Sequence, residues 1–181
     1  MPTITELSEL TGDYVFDTAH TRIRFVARHT MSTRVRGEFG EFEGGAVLDG
    51  DRPERSSARL TISAASILTR NQQRDDLLRD KFLDADHHPA LTFTSVHVRQ
   101  VDGTRYKVAG ELTIRDVTAP VTLDVALADA ATAPDGGVRL GFTGSTTIDR
   151  RTWGVNWNSM TTLMVGPKVT LEFDVTAVRR S

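Results

Sequence analysis

Between residues 23 and 178 the chain repeats one pattern, short runs in which apolar and polar residues alternate. Ile23, Phe25 and Ala27 alternate with Arg22, Arg24 and Arg28, and Val169, Leu171, Phe173 and Val175 with Thr170, Glu172, Asp174 and Thr176. Period-two alternation marks a strand with one buried face. Similar runs cover residues 35–48, 58–64, 91–98, 106–114, 121–127 and 138–148, giving eight predicted strands, most of them one-sided. The apolar parity switches near Gly40 and again around Ser95, which predicts bulges. Eight sequential antiparallel strands with one apolar face have two good solutions, a closed barrel or a sandwich. Closure removes exposed edges, and an eight-stranded barrel can enclose one small ligand.

Glycines tilt the choice toward a barrel with a cavity. Gly144 stands on the otherwise apolar face of the run 138–148, and Gly110 interrupts the face formed by Tyr106, Val108, Leu112 and Ile114. A glycine on a buried strand face leaves room for a bend or for something that is not protein. Ala27, Ala58 and Ala64 are further small residues at apolar positions.

At 181 residues the chain is read as one domain, residues 13–181, after an N-terminal extension of residues 1–12. Thr3-Ile4-Thr5-Glu6 fits a capping box and Gly12 a helix stop, so a short helix is expected there. The net charge of −2, with no dense basic cluster, gives no general attraction to nucleic acid. With no cysteine, disulfides, thiolate catalysis and Cys-based zinc sites are all excluded. The first residues lack the basic start and apolar core of a signal peptide, and no run approaches the ~20 apolar residues of a membrane span. A cytoplasmic location without a transmembrane segment is the expectation.

One helix interrupts the strands, at about residues 71–84. Asn71 can cap it, Leu78 and Phe82 share a face at i,i+4, and Pro89 stops its continuation. Arg74 and Asp75 open this helix; carboxylates are favourable there, and Arg74 can pair with a carboxylate or a ligand head group.

Candidate chemistry is sparse. His20, His29, His87, His88 and His97 show no metal-ligand spacing, so no metal site is expected. His20 beside Asp17 reads as a hydrogen-bonded turn pair. Nucleophile elbows and phosphate-binding glycine loops are missing from the sequence, so no catalytic residue and no cofactor are assigned. The segment holding Trp153, Trp157 and Met160 is different: aromatics and a methionine suit an adaptable apolar surface, and equally a loop folded over a barrel end.

These residues together resemble the YceI-like family. The pattern Phe16-Asp17-x-x-His20-Thr21-x-Ile23-x-Phe25 is similar to its first strand, and His29-Thr30-Met31 with Val35-Arg36-Gly37-Glu38-Phe39 to its second. The most specific stretch runs from Ser66-Ile67 through Asn71-x-x-Arg74-Asp75-x-x-Leu78 and Phe82-Leu83 to His88-Pro89-Ala90-Leu91-Thr92-Phe93. Gly110-x-Leu112-Thr113-Ile114-Arg115, Val117-Thr118-x-Pro120-Val121 and Arg150-Arg151-x-Trp153-Gly154 complete it. Asp116 stands where relatives carry glycine, a change a left-handed turn tolerates.

The resemblance implies an all-β, lipocalin-like, closed or nearly closed eight-stranded antiparallel barrel whose apolar pore holds an isoprenoid chain, such as a quinone tail or polyprenyl lipid, or another long apolar molecule. Phe25, Ile62, Leu78, Phe82, Phe93, Gly110, Leu112, Leu123, Phe142, Gly144 and Phe173 are then expected at the ligand, with Trp153, Trp157 and Met160 near a mouth. His20, Arg74 and Asp75 are the polar head-group candidates. A homodimer is compatible with the resemblance, although nothing in the periodicity demands it. The first functional expectation is non-catalytic binding, transport or sequestration. The alternatives are an enzyme acting on a lipophilic substrate in the same barrel and a partner-binding module with a solid interior.

Overall fold

The computed structural model describes residues 7–28, 34–132, 134, 136–155 and 166–180. Its strand segments close into an eight-stranded antiparallel barrel, three of whose strands are broken in two. β1 (Gly12–Phe16) turns a corner and continues as β2 (Arg22–Arg28). β3 (Arg34–Phe39) continues as β4 (Phe42–Leu48), and β5 (Ser57–Ser63) as β6 (Ile67–Leu68). β7 (Ala90–Asp102), β8 (Arg105–Ile114), β9 (Val117–Thr132), β10 (Val138–Asp149) and β11 (Lys168–Arg179) follow as a meander. Closure comes from β11, which pairs with β2 along its first half and with β1 along its second.

The two parity switches have local causes. Between β3 and β4 the chain breaks at Gly40-Glu41, where the Gly40 amide donates to the Ser66 carbonyl (3.1 Å) instead of a ladder partner. Phe39 and Phe42 can therefore both face inward. In β7 the register steps from Ser95 opposite Gly110 to His97 opposite Ala109, and the extra residue, Val96, is left 71% exposed. That is a bulge, and it restores Val98 to the core.

Turn chemistry fixes the neighbouring pair. Arg115 and Asp116 join β8 to β9 with φ of 53° and 63°, the two left-handed residues of a type I′ hairpin that matches strand twist. Asp116 occupies this position comfortably because its short polar side chain tolerates the left-handed region.

Two elements differ from the sequence reading. β1 is a strand that periodicity did not single out, since five residues are too few to establish a pattern and its partners, β4 and β11, lie far away in sequence. At the N-terminus, Leu7–Leu10 forms a 3₁₀ turn and Gly12 opens β1; residues 1–6 of the expected helix lie outside the described residues. The helix expected near 71–84 is present as α1 (Gln72–Leu77), followed by one wide π turn over Leu78–Phe82. Asn71 caps it by accepting from the Arg74 amide at 3.0 Å.

α1 sits at one end of the barrel, here the far end, together with the β8–β9 turn and Arg150–Trp153. The near end carries Leu7–Leu10 and the 49–56 loop. The main core fills the barrel from the middle to the far end, and a smaller cluster of Leu10, Tyr14, Val138, Leu140 and Ala177 packs the near end.

Candidate functional site: an apolar tunnel

The inward faces of the strands enclose a cavity of about 300 Å³ running along the barrel. Phe25, Ile62, Leu78, Phe82, Phe93, Leu112, Leu123, Phe142 and Phe173 line it, each where strand parity or helix spacing places an inward side chain. The same parity also brings Val121, Val125, Ile148, Val169 and Leu171 to its wall. At the near end the lining changes to Leu7, Leu10, Leu48, Asp49, Pro53, Ser56 and Ser57, which are mostly half-buried or exposed apart from Leu10.

The far end is shut by buried side chains. Leu78, Phe82, Leu83, Trp153 and Val155 are all buried, and so is Arg150 at 4% exposure. Arg150 is the buried charge of this wall. Its guanidinium lies 5.5 Å over the Phe82 ring and donates through Nη1 to the Val155 carbonyl (2.6 Å) and through Nε to that of Gly166 (3.1 Å). These partners recover part of what burial costs a cation, and the burial lowers the guanidinium pKa from its ordinary value. Trp153 donates from Nε1 to the Leu112 carbonyl at 2.8 Å. It packs in the core around the tunnel instead of lining it, so its expected place at a mouth is corrected. Trp157 and Met160 lie outside the described residues.

Gly110 and Gly144 are also corrected. They are inward, but neither is part of the tunnel wall, because an aromatic ring already occupies the space each leaves. A Cβ at Gly144 would stand 2.3 Å from two Phe173 ring carbons, and one at Gly110 would stand 2.5 Å from Cζ of Phe93. The missing side chains accommodate neighbouring phenylalanines, which in turn face the lumen.

The polar candidates are elsewhere. Arg74 donates through Nε to Thr69 Oγ1 (2.7 Å) and through Nη2 to the Thr69 carbonyl (2.8 Å), while Asp75 accepts from the Thr69 amide at 2.7 Å. Both tie the helix to the end of β6, and neither lines the tunnel. His20 is exposed at the β1–β2 corner, where its Nδ1 lies 2.9 Å from an Asp17 oxygen that also accepts from Arg139 at 2.8 Å. Hydrogen bonding to His20, then to Arg139, holds the Asp17 carboxyl below the ordinary aspartate range. His97 is exposed beside the β7 bulge. Among the described residues, no group of three or more histidine or acidic side chains could hold a metal ion.

Sequence reasoning missed Arg150 as a lining residue and the whole near-end rim. Arg150 carried no signal of burial, since it precedes another arginine at a strand end. The rim comes from two stretches far apart in sequence, 7–10 and 48–57, and only the closed barrel brings them together.

The sequence profile of the YceI-like domain matches residues 14–177, and the chain belongs to that family. A UPF0312 protein of Pectobacterium carotovorum is 34% identical over 82% of this chain and 78% of its own length. One from Pseudomonas paraeruginosa is 32% identical, covering 81% and 78%. Among solved structures, BcnA of Burkholderia cenocepacia superposes with a TM-score of 0.80 at 25% identity, over 89% of this chain and 98% of that one. A Campylobacter jejuni YCEI protein gives 0.74 at 29%, over 82% and 87%. A polyisoprenoid binding domain from Saccharophagus degradans gives 0.66 at 16% identity, over 92% and 98%, and shows the shared fold alone. Neither these relatives nor the single-chain structure supplies support for a homodimer. No helix among the described residues is long and apolar enough to cross a membrane.

Proposed function

We propose that the barrel binds one isoprenoid chain, a polyprenyl lipid or quinone tail, and carries or sequesters it without catalysis. The observation that carries this reading is the tunnel itself: a wall made mainly of apolar side chains, with Arg150 a buried charge at its closed far end and Asp49, Ser56, Ser57 and Arg59 at the near rim. Each methylene taken from water into such a lumen contributes about 0.8 kcal/mol, less the cost of ordering the chain. Few polar contacts are then needed for useful affinity. The YceI-like membership and the polyisoprenoid-binding description of the Saccharophagus domain agree with this choice of ligand. An enzyme would need polar groups converging on the substrate, whereas His20, His97, Arg74 and Asp75 all lie outside the tunnel lining.

The test is organic extraction of protein purified from its native host, with mass spectrometry of the extract. The expected result is a prenyl series recovered in near-stoichiometric amount. Repeated recovery of none, together with no binding of added polyprenols to the delipidated protein, contradicts the reading.

A further inference from the structure

The tunnel wall has a construction that strand alternation alone does not require. Four phenylalanines lining it lie against glycines of adjacent strands: Phe25 over Gly37, Phe16 over Gly44, Phe93 over Gly110 and Phe173 over Gly144. A Cβ at Gly37 would meet Phe25 Cζ at 2.3 Å, and one at Gly44 would meet Phe16 Cδ2 at 2.8 Å. A ring needs such a glycine to fold flat against the sheet; over a larger residue it must stand up into the lumen. Each pair therefore trades a protruding ring for a ring face. Phe93 on β7 and Phe173 on β11 sit four strands apart in an eight-stranded ring, so they wall opposite sides of the bore.

The bore is elongated. The lining on β7 runs from Leu91 to Val98, about 23 Å of strand and about 17 Å of barrel axis after the usual tilt. Across that length its width is bounded by the Phe93 and Phe173 rings on opposite walls. A fused four-ring skeleton is broader than a single chain and rigid, and it cannot narrow itself by rotating about bonds.

We infer that Phe25, Phe93 and Phe173, each laid over a glycine of the next strand, set the bore and make the protein select single flexible chains by girth, excluding fused-ring lipids. This rests on the lipid-binding reading above and names the class of lipid that the same tunnel admits.

The test uses delipidated full-length protein and two probes, all-trans octaprenol and cholesterol, with affinities measured in parallel for the parent, Phe173→Ala and Phe93→Leu. The parent should bind octaprenol at least 100-fold more tightly than cholesterol. Removing the Phe173 ring should narrow that ratio at least tenfold by gaining cholesterol, with octaprenol affinity changing less than about threefold. If Phe173→Ala loses its cooperative melting transition, Phe173→Leu takes its place and the same direction is required. A parent that binds cholesterol within threefold of octaprenol overturns the inference while leaving lipid binding intact. Folded ring variants with an unchanged ratio overturn it equally. Binding of neither probe to the parent rejects the lipid-binding reading and this inference with it.

Discussion

Replacing Gly144 with leucine should destabilise the fold and not merely empty the tunnel. The backbone at Gly144 has no left-handed φ, so leucine lacks room, not conformation. Its Cβ would arrive 2.3 Å from two Phe173 ring carbons and 2.7 Å from the Asp124 carbonyl oxygen. The ring can swing into the lumen. The carbonyl cannot easily retreat, because Asp124 is laddered to Lys107 on one side and to Ser145 on the other. Overpacking of this kind costs about 1–3 kcal/mol, and the branched side chain adds to a clash that alanine alone already makes. We expect about 3 kcal/mol for leucine, or a melting temperature about 6–12 °C lower in a domain of this size. Gly144→Ala should lose about half as much, and adding Phe173→Leu to Gly144→Ala should return part of the loss because the mobile half of the clash is gone. Thermal unfolding and extracted lipid would be measured on the same samples. A Gly144→Leu protein melting within 2 °C of the parent would refute the ring-on-glycine packing, whatever its lipid content.

Three further outcomes follow from the geometry. Phe173→Asp places an unpaired carboxylate against an apolar lumen, so it should cost several kcal/mol or hold that carboxyl neutral, whereas neighbouring Glu172→Gln should stay within about 0.5 kcal/mol by urea unfolding. Tyr14, 1% exposed, donates its hydroxyl to the Leu10 carbonyl at 2.8 Å, and Tyr14→Phe should cost about 0.5–1.5 kcal/mol in chemical denaturation and loosen the N-terminal turn in hydrogen exchange. Asp17 has a depressed pKa, so its contribution is complete above the unfolded value near 3.8 and is lost as pH falls through the lower folded one. Asp17→Asn should therefore be less stable at pH 6 and flatten the stability-versus-pH curve in the acid limb; an identical acid limb would show that the His20–Arg139 contacts contribute nothing.

The barrel was legible because its information is local and periodic. Alternation in residues 169–176 or 106–114 fixes which side chains face inward, and even the breaks at Gly40 and Ser95 announced themselves as changes of parity. The turn at Asp116 was readable only through the family resemblance, in which a glycine's place marks a left-handed residue. Most of the tunnel wall follows from parity alone, so Phe25, Phe93, Leu112 and Phe173 could be placed without coordinates. The meaning of Gly110 and Gly144 could not. An inward glycine reads as empty space in one dimension, and only strand register shows that the Phe173 or Phe93 ring next door fills it. Polar residues were least legible. Arg74 and Asp75 resembled ligand contacts in composition, but their partner is Thr69, and nothing in their spacing gives the direction of a side chain. Arg150 was hidden for the opposite reason, because an arginine at a strand end is ordinarily solvated.

The central claim is that a chain lies inside the barrel, against the rings. Nuclear Overhauser contacts between the methyl protons of bound octaprenol and selectively labelled phenylalanine rings and valine methyls test it most directly. Contacts to Phe25, Phe93 and Phe173, with none to exposed Val15, Val47 or Val96, are the predicted result. A tightly bound chain whose contacts fall on those outer valines, with the ring protons untouched, would contradict the account.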